Sequence, residues 1–324
     1  MGSCFEKLFV FRRINMFDTT YPLISVIICT RDRGAMVVRT ARSVLLSRYP
    51  DFELVVIDQS NDDSTEISME PLSEDLRFRY IRSATQGAAL ARNIGVRNSR
   101  GEIIAFTDDD CEVMPDWIDE MISAFQSDQK VGIVLGKVLA GPHDSNAGFI
   151  PAYFLKEPFL ACNIREKHKV EGIGACMGIR KTTWTALRGF DECMGSGAPL
   201  KSGEDTDFIV RTLLSGYYVY ETPKVAVVHY GFRTWEEGQQ LINNYMYGFG
   251  AMFAKHIKSG NWQILVVLFH LAQRWAFSEP VVHLGKRPPR LMRLAAFIRG
   301  AVVGALTPVN SNAGHYDIRK AGSQ

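Results

Sequence analysis

Short apolar runs alternate with amphipathic segments through the first part of this chain. A run rich in β-branched residues lies at 24–29, further apolar runs lie at 53–57 and 103–106, and another strand is predicted at 78–81. Continuous apolar runs of this length are typical of strands buried on both faces of a parallel sheet. The segments between them carry apolar residues on one helical face, as at Val37, Ala41 and Val44. This alternation predicts a doubly wound α/β sheet in the N-terminal half.

The pattern continues less regularly after residue 110. A helix is predicted after Pro115, strands over 131–139 and 224–228, and helices over 208–214 and within 249–258. Residues 141–170 show little periodicity and predict loops, and 171–177 is interrupted by glycines. The apolar stretch 262–277 is shorter than the ~20 residues that a membrane-spanning helix needs.

Polar residues follow the ends of three predicted strands. Thr30 to Arg33 follow the first strand, Asp58 ends the second, and Asp108 to Asp110 end the fourth. Ligands of doubly wound sheets bind beyond the carboxyl ends of the strands, so these groups are expected to be neighbours. The aspartates, with Glu112 nearby, favour a hard divalent cation such as Mg²⁺ or Mn²⁺. The alternative is a solvated acidic turn.

Three other positions each have a functional and a structural interpretation. Asp58 could accept a hydrogen bond from a base or ribose, or bond its own backbone in a turn. The acidic cluster at 203–207 could supply a general base, or could be an ordinary acidic first turn in which Asp207 pairs with Arg211. His229 ends the last predicted strand and could bind a metal or be a satisfied structural histidine.

Six segments, in order and spacing, resemble the family 2 glycosyltransferases over about 22–230. They are ISVIICTRDR, VVIDQSNDDS, QGAALARNIGVRNSRGEIIAFTDDDC, GACMGIRKTTWTALRGFDE, SGEDTDFIVRTLLSGY and VAVVHYG. The resemblance implies an α/β protein of the GT-A fold, with a single Rossmann-like nucleotide-binding mixed sheet, flanking helices and a C-terminal helical segment. It also implies an N-terminal extension at 1–21, a catalytic domain at 22–235 and a basic, partly amphipathic helical region at 236–324.

The resemblance assigns a nucleotide-sugar site to residues near the strand ends. In it, Thr30, Arg31 and Asp58 hold the nucleobase, and Arg92 lies near the diphosphate. Asp108 reaches towards the ribose, with Asp109 beside it.

The resemblance also assigns the metal and the catalytic base. Asp110 is the principal ligand of Mn²⁺ or Mg²⁺, with Asp108 and His229 joining it. Three consecutive aspartates leave the register of this motif open, and the Asp108 and Asp110 pair preserves the spacing after the strand. Asp205 is the catalytic base, with Glu204 beside it in the acceptor site.

The implied activity is metal-dependent, inverting transfer of a sugar in polysaccharide biosynthesis. The donor is a nucleotide-diphosphate sugar, with UDP favoured, and the acceptor is a hydroxyl of a glycan or a lipid-linked molecule. A catalytically silent, membrane-associated scaffold is the alternative. A nucleotidyltransferase is disfavoured because CTRDRGAM lacks the lysine of a phosphate-binding loop.

Composition adds a charge asymmetry to this picture. Of the 324 residues, 46% are hydrophobic and 22% charged, which excludes disordered and collagen-like chains. Residues 1–249 hold 33 acidic and 27 basic residues, whereas 250–324 hold 2 acidic and 10 basic. Basic residues interleaved with apolar ones near the C-terminus are Lys286, Arg287, Arg290, Arg293 and Arg299.

The basic segment has two interpretations. It predicts a peripheral contact with an anionic membrane through 250–305, or a helical subdomain that packs on the catalytic domain with a solvated basic face. No motif supports a nucleic-acid partner. The six cysteines are scattered and are expected to be reduced, which favours a cytoplasmic protein, peripheral on the cytoplasmic face of the inner or plasma membrane.

Overall fold

The computed structural model describes residues 22–277, 290–310 and 314–317. Its strands are numbered in chain order: β1 (Ile24–Thr30), β2 (Phe52–Asp58), β3 (Phe78–Arg82), β4 (Ile103–Asp108), β5 (Cys111–Val113), β6 (Val131–Ala140), β7 (Gly148–Phe149), β8 (Phe159–Ala161), β9 (Cys176–Arg180), β10 (Tyr218–His229), β11 (Arg233–Thr234), β12 (Val309–Asn310) and β13 (His315–Tyr316).

The helices are numbered in the same way. They are α1 (Gly34–Leu45), α2 (Ser64–Met69), α3 (Ala88–Asn98), α4 (Trp117–Gln126), α5 (Lys181–Ala186), α6 (Glu204–Leu214), α7 (Trp235–Lys258), α8 (Ile264–Phe277) and α9 (Arg290–Leu306). Short 3₁₀ segments cover Glu70–Leu72 and Ile164–Lys169.

A nine-stranded mixed sheet forms the centre of the molecule, in the order β3-β2-β1-β4-β9-β6-β10-β5 with β8 beside β10. The pairs β3–β2, β2–β1, β1–β4 and β6–β10 are parallel, while β9 runs antiparallel to both β4 and β6. Both faces are covered, because Val55 and Ile57 of β2 enter one apolar core and Leu54 and Val56 enter the other. The expected mixed sheet with flanking helices is confirmed.

Strand β9 lies in the middle of the sheet, but the glycines in and before it prevented the sequence from predicting a strand there. Gly178 of β9 packs directly against α4, since a Cβ there would lie 2.4 Å from the Met121 sulfur. The glycine therefore weakens the local strand pattern but permits the close approach of the helix. The segment 141–170, expected to be loops, also contains β7, β8 and a 3₁₀ turn.

The C-terminal helical segment is present and packs on the rest of the chain. Helix α7 begins with a capping box between Thr234 and Glu237 and includes 249–258, which the sequence predicted to be part of a helix. Helix α9 lies against α7 at near backbone contact, because a Cβ on Gly300 would lie 1.9 Å from the Tyr247 carbonyl oxygen. The boundary between 235 and 236 remains a prediction, and residues 1–21, Lys286 and Arg287 lie outside the described residues.

Two further sequence expectations concern membranes and thiols. None of the helices within 22–277 and 290–310 combines the length and hydropathy required for a membrane span. Cys29, Cys111, Cys176 and Cys193 are free thiols. Cys162 is bonded in a disulfide, so the expectation that all six cysteines are reduced is wrong for this residue, and one argument for a reducing compartment is lost.

Candidate active site

The carboxyl ends of three parallel strands meet at one edge of the sheet. The space between this edge and the start of α6 is called here the cleft. The sheet register pairs Thr30 with Asp58 and Cys29 with Asp108, so the polar residues after β1, β2 and β4 are neighbours, as the sequence predicted. The Thr30 hydroxyl donates to Asp109 Oδ2 at 2.7 Å, which links the first loop to the aspartate turn. This edge is the part of the sheet at which a nucleotide would lie.

The loop after β1 has a strained backbone at Asp32. Its φ of 56° lies in the left-handed region, which aspartate tolerates better than most residues. The Asp32 amide donates to the Ser60 hydroxyl at 2.7 Å, and Asp32 Oδ1 accepts from the Asn61 amide at 3.1 Å. The loops after β1 and β2 are therefore tied together, while the Arg31 side chain beside them is 37% exposed.

Asp58 is fully buried and its oxygens already have partners. Oδ1 accepts from the Ser60 amide at 2.8 Å and from the Ser60 hydroxyl, and Oδ2 accepts from the Tyr80 hydroxyl. This is the turn geometry that the sequence left open as an alternative. Contact between Asp58 and a nucleobase stays a prediction, and it would require one of these hydrogen bonds to be exchanged.

Asp110 and His229 meet where β5 pairs with the end of β10. His229 lies opposite Cys111 in this antiparallel pair, and the Tyr230 amide donates to the Asp110 carbonyl at 2.8 Å. His229 Nε2 is 3.0 Å from Asp110 Oδ1, and Arg33 Nη1 is 3.0 Å from Asp110 Oδ2. Both carboxylate oxygens of this buried aspartate therefore face nitrogen atoms.

The proton arrangement around His229 fits a cation site. His229 Nδ1 is 2.7 Å from the Pro151 carbonyl oxygen, so Nδ1 carries hydrogen and Nε2 is the nitrogen that faces Asp110. Burial alone would lower the pKa of His229, but its hydrogen bond to Asp110 and the charge of Asp110 raise it. If no cation lies between His229 Nε2 and Asp110 Oδ1, a hydrogen bond between them requires a second proton on the imidazole, at Nε2. An imidazole nitrogen beside a carboxylate oxygen is a donor set that suits Mn²⁺.

The third member of the tight ligand group is Cys111, whereas the sequence predicted Asp108. Ligand atoms of Asp110, Cys111 and His229 all lie within 4.8 Å of one another. Burial raises the pKa of the Cys111 thiol, so it stays protonated and is a weak ligand. The Asp108 side chain is 43% exposed and faces Arg92 instead.

Arg92 of α3 connects the aspartate turn to the start of α6. Its Nη1 donates to Glu204 Oε1 at 2.6 Å, and its Nη2 is 3.9 Å from Asp108 Oδ1. Burial raises the pKa of Glu204, and the charge of Arg92 opposes that effect. Next to Glu204, Asp205 accepts from the Gly174 amide at 3.3 Å and from the Thr206 amide at 2.6 Å. The cleft therefore has carboxylates at both ends and a buried guanidinium between them.

Comparison with known proteins identifies this arrangement. Residues 25–183 match the model of the family described as glycosyl transferase family 2. Residues 25–183 therefore form a domain of this family. An uncharacterized protein of Sinorhizobium fredii is 29% identical over 233 residues, covering 64% of this chain and 24% of the relative. An uncharacterized glycosyltransferase of Rickettsia felis is 38% identical over 88 residues, covering 27% of this chain and 14% of the relative.

Solved structures of similar fold include two with bound sugar nucleotides. The mannosyltransferase PcManGT of Pyrobaculum calidifontis, in complex with GDP-Man and Mn²⁺, superposes with a TM-score of 0.57 at 17% identity, covering 88% of each chain. S. aureus TarS 1–349 in complex with UDP-GlcNAc gives a TM-score of 0.60 at 16% identity, covering 86% of this chain and 81% of that one. The expected GT-A fold is confirmed. The chain spans a quarter or less of the length of the first two curated relatives.

The site also contains residues to which the sequence assigned no role. Arg33, from the loop after β1, was expected to lie near the aspartate turn, and it pairs with Asp110. Tyr245 of α7 is 40% exposed and lies near the carboxylates at the other end of the cleft, where partial burial and the negative charges of Asp205 and Glu204 raise its pKa. No local pattern marks Tyr245, because it reaches the cleft only through the packing of α7.

Proposed function

We propose that the chain is a metal-dependent, inverting glycosyltransferase. It moves a sugar from a nucleotide-diphosphate donor, with UDP favoured, to a hydroxyl of a glycan or lipid-linked acceptor. Asp205 is the general base. One observation carries the proposal: Arg92 lies between Asp108, at the aspartate turn, and Glu204, beside Asp205, so the two acidic clusters share one cleft. The bound GDP-Man with Mn²⁺ and the bound UDP-GlcNAc of the two similar folds support a sugar-nucleotide donor.

The residues that would hold the cation are Asp110 and His229, with Asp108 as a further predicted ligand. A bound Mn²⁺ or Mg²⁺ would neutralise the developing charge of the leaving diphosphate. Arg92 is the buried guanidinium next to this position, so it adds fixed positive charge on the diphosphate side of the cleft. Thr30, Arg31, Asp58 and Asp109 line the loops that would receive the nucleoside.

Asp205 is better placed than Glu204 to take a proton. Glu204 is buried and its Oε1 is already bound to Arg92 at 2.6 Å, so it does not face an acceptor hydroxyl freely. Asp205 is partly exposed to the cleft, and the Gly174 amide orients its Oδ2 at 3.3 Å. Asp205 therefore removes the proton of the acceptor hydroxyl while that oxygen attacks the anomeric carbon from the face opposite the leaving group. One displacement inverts the configuration.

Replacing Asp205 by Asn tests the base assignment. General-base catalysis contributes about 10²–10⁴-fold, so D205N should lose transfer by at least two orders of magnitude while donor affinity stays the same. Asp119→Asn, the same change on an exposed face of α4, is the matched control. Turnover of D205N close to wild type would show that another group is the base. A wild-type chain that binds donor but never turns over would instead favour the scaffold alternative.

A thermal-shift screen identifies the donor. UDP-, GDP- and dTDP-sugars are compared with Mn²⁺, with Mg²⁺ and with EDTA. A donor at 100 times its Kd stabilises the folded state by about 2.7 kcal/mol, so the preferred nucleotide gives a shift that depends on the cation. Equal shifts with cation and with EDTA would refute metal-dependent donor binding.

The outer face of α9 is the proposed contact with an anionic membrane, which would carry a lipid-linked acceptor. Leu291, Leu294 and Ile298 are exposed and recur at helical spacing, and Arg290 and Arg299 are exposed beside them. The opposite face of α9 packs on α7, so the proposed membrane contact uses only the outer face of the helix. The proposed location is the cytoplasmic face of the inner or plasma membrane.

Co-sedimentation of the full chain with vesicles tests this membrane contact. Leu294→Glu with Ile298→Glu should abolish pelleting with anionic vesicles, and the wild type should pellet less at high salt. Leu76→Glu, at an exposed leucine remote from α9 in sequence, is the control. Equal pelleting of the wild type and the α9 variant would refute the contact.

A further inference from the structure

A buried cluster of charged residues lies behind the first turn of α6, away from the cleft. It consists of Asp191, Asp207, Arg211, Lys255 and His256, and is called here the Asp207 cluster. Lys255 of α7 is fully buried, and its ammonium is 2.7 Å from Asp191 Oδ2 and 2.7 Å from Asp207 Oδ1. A buried ammonium is stable only when paired, so these two carboxylates explain its burial.

The cluster holds Asp207 in its ionised form through contacts at both oxygens. Asp207 Oδ2 accepts from Arg211 Nε at 2.8 Å, and Oδ1 is also 3.0 Å from His256 Nε2. Burial would raise the pKa of Asp207, but the charges of Lys255 and Arg211 hold it well below its ordinary value. Burial lowers the pKa of His256, so its imidazole is neutral and donates a hydrogen bond. With two carboxylates and two cations, the cluster is neutral.

Four segments of the chain meet at the cluster. Asp207 belongs to the first turn of α6, Asp191 to the loop before α6, and Lys255 and His256 to the last turn of α7. The fourth segment is β13, where the Tyr316 amide donates to Asp191 Oδ2 at 2.9 Å and the Tyr316 hydroxyl donates to the Ala251 carbonyl at 2.6 Å. The cluster thus joins the C-terminal helices to the helix that carries the candidate base.

The geometry of α6 connects the cluster to the cleft. At about 100° per residue, Asp207 points roughly opposite to Asp205, so one faces the interior while the other faces the cleft. On the cleft side, the start of α6 is held by the Arg92–Glu204 pair, and on the interior side it is held by the Asp207 cluster. The N-cap of α6 is Gly203, which makes no side-chain capping bond, and the Asp205 carboxylate is held by main-chain amides. The direction of Asp205 therefore depends on the backbone of the turn that Asp207 anchors.

We propose that Lys255 is a positioning residue: by binding Asp191 and Asp207 it fixes the first turn of α6 and so directs Asp205 towards the acceptor. Lys255 itself touches no substrate, and His256 beside it is a second, uncharged tether to Asp207. The kinetic part of this inference rests on the proposed function. The structural part does not, because the order of the α6 turn can be measured without any turnover.

The test compares Lys255→Met and Lys255→Arg with Lys258→Met as the matched control. Lys258 also lies in the last turn of α7, but its ammonium binds the Ala305 and Thr307 carbonyls at 3.0 and 3.1 Å and serves the contact with α9. Both methionine variants remove a lysine that stabilises α7. Only the change at Lys255 releases α6.

The first measurement is amide hydrogen exchange of residues 204–208 in the full chain. Exchange should be at least tenfold faster in K255M, partly recovered in K255R, and unchanged in K258M. The second is kinetics per folded molecule, where kcat of K255M should fall at least tenfold with donor KM within threefold. If exchange over 204–208 is the same in K255M and wild type, or equally fast in K258M, the proposal is overturned. An inactive wild type would count against the proposed function, and the exchange result would still decide the role of Lys255.

A second variant covers the case in which K255M does not fold. Lys255→Met combined with Asp191→Asn restores charge neutrality, because Asp207 keeps Arg211 as its counterion. The double variant should regain thermal stability yet keep the fast exchange of the α6 turn. Recovery of wild-type exchange would show that an unpaired charge, rather than a lost tether, caused the defect, and would overturn the proposal.

Discussion

Replacing Arg92 by Met should destabilise the protein because it leaves a carboxylate buried without its cation. The Arg92 and Glu204 side chains are 10% and 11% exposed, and their charged atoms are 2.6 Å apart. Removing one partner of such a pair costs about 3–5 kcal/mol, in line with about 4 kcal/mol of Coulomb energy at 4 Å and an effective dielectric constant near 20. At about 2 °C per kcal/mol for a chain of this size, R92M should unfold about 6–10 °C below wild type.

The stability that R92M loses relative to wild type should also depend on pH. Without Arg92, the burial that already raises the pKa of Glu204 acts unopposed. A carboxyl whose folded pKa lies above its unfolded value binds more protons when folded, so the variant gains stability as pH falls through that folded pKa towards the unfolded value. The difference between R92M and wild type should therefore be largest at pH 7 to 8 and shrink towards pH 5.

The assay is chemical denaturation of wild type, R92M and R92M with Glu204→Gln at pH 5, 6 and 7.5. The double variant should recover most of the lost stability, since no buried charge is left unpaired, while donor affinity stays weak because the guanidinium is absent. Arg180→Met is the control, because that arginine bonds the Phe125 and Val131 carbonyls and its loss should not vary with pH. A double variant no more stable than R92M would refute the buried-pair reasoning.

Three further predictions follow from other parts of the structure. Asp110→Asn and His229→Gln should each weaken Mn²⁺ binding at least tenfold by calorimetry, whereas Glu112→Gln should retain it, since Glu112 pairs with Arg39 and Tyr230. Gly300→Ala should lower the free energy of unfolding by about 1–3 kcal/mol, because its Cβ would lie 1.9 Å from a carbonyl oxygen, while Ala295→Ser on the exposed face should not change it. Burial lowers the pKa of His315 to about 4, so the unfolded chain takes up a proton first as pH falls. Wild type should therefore lose up to about 3 kcal/mol between pH 6.5 and 4, and His315→Gln should flatten that dependence; parallel curves would contradict it.

The parallel strands and the polar edge of the cleft could be predicted because one physical cause produces both signals. Strands buried on both faces need continuous apolar runs, as in β1, β2 and β4, and their polar ends must lie at the same edge of a parallel sheet. Adjacency of Thr30, Asp58 and Asp108 therefore followed from order along the chain alone.

Antiparallel insertion and long-range packing could not be predicted in the same way. Strand β9 enters the middle of the sheet with a glycine that permits close packing of α4. Helix α7 has Gly250 where α9 crosses it, so both elements carry residues that weaken the local pattern. The packing of α7 brings Tyr245 to the cleft and Lys255 to the Asp207 cluster behind it. Within YMYGFGAMFAKHIK, nothing local distinguishes a buried lysine from a solvated one.

The charge asymmetry also has a partly internal explanation. The sequence suggested that the basic excess after residue 250 faces an outside partner, yet Lys255 is fully buried against two acidic residues of the preceding segment. Cutting the chain between 235 and 236 would remove Lys255 and His256 from Asp191 and Asp207 and leave these two carboxylates with Arg211 as their counterion. Truncation at the sequence-predicted boundary would therefore damage the α6 turn as well as remove α9. Point changes on the outer face of α9 are consequently the cleaner way to separate membrane contact from catalysis.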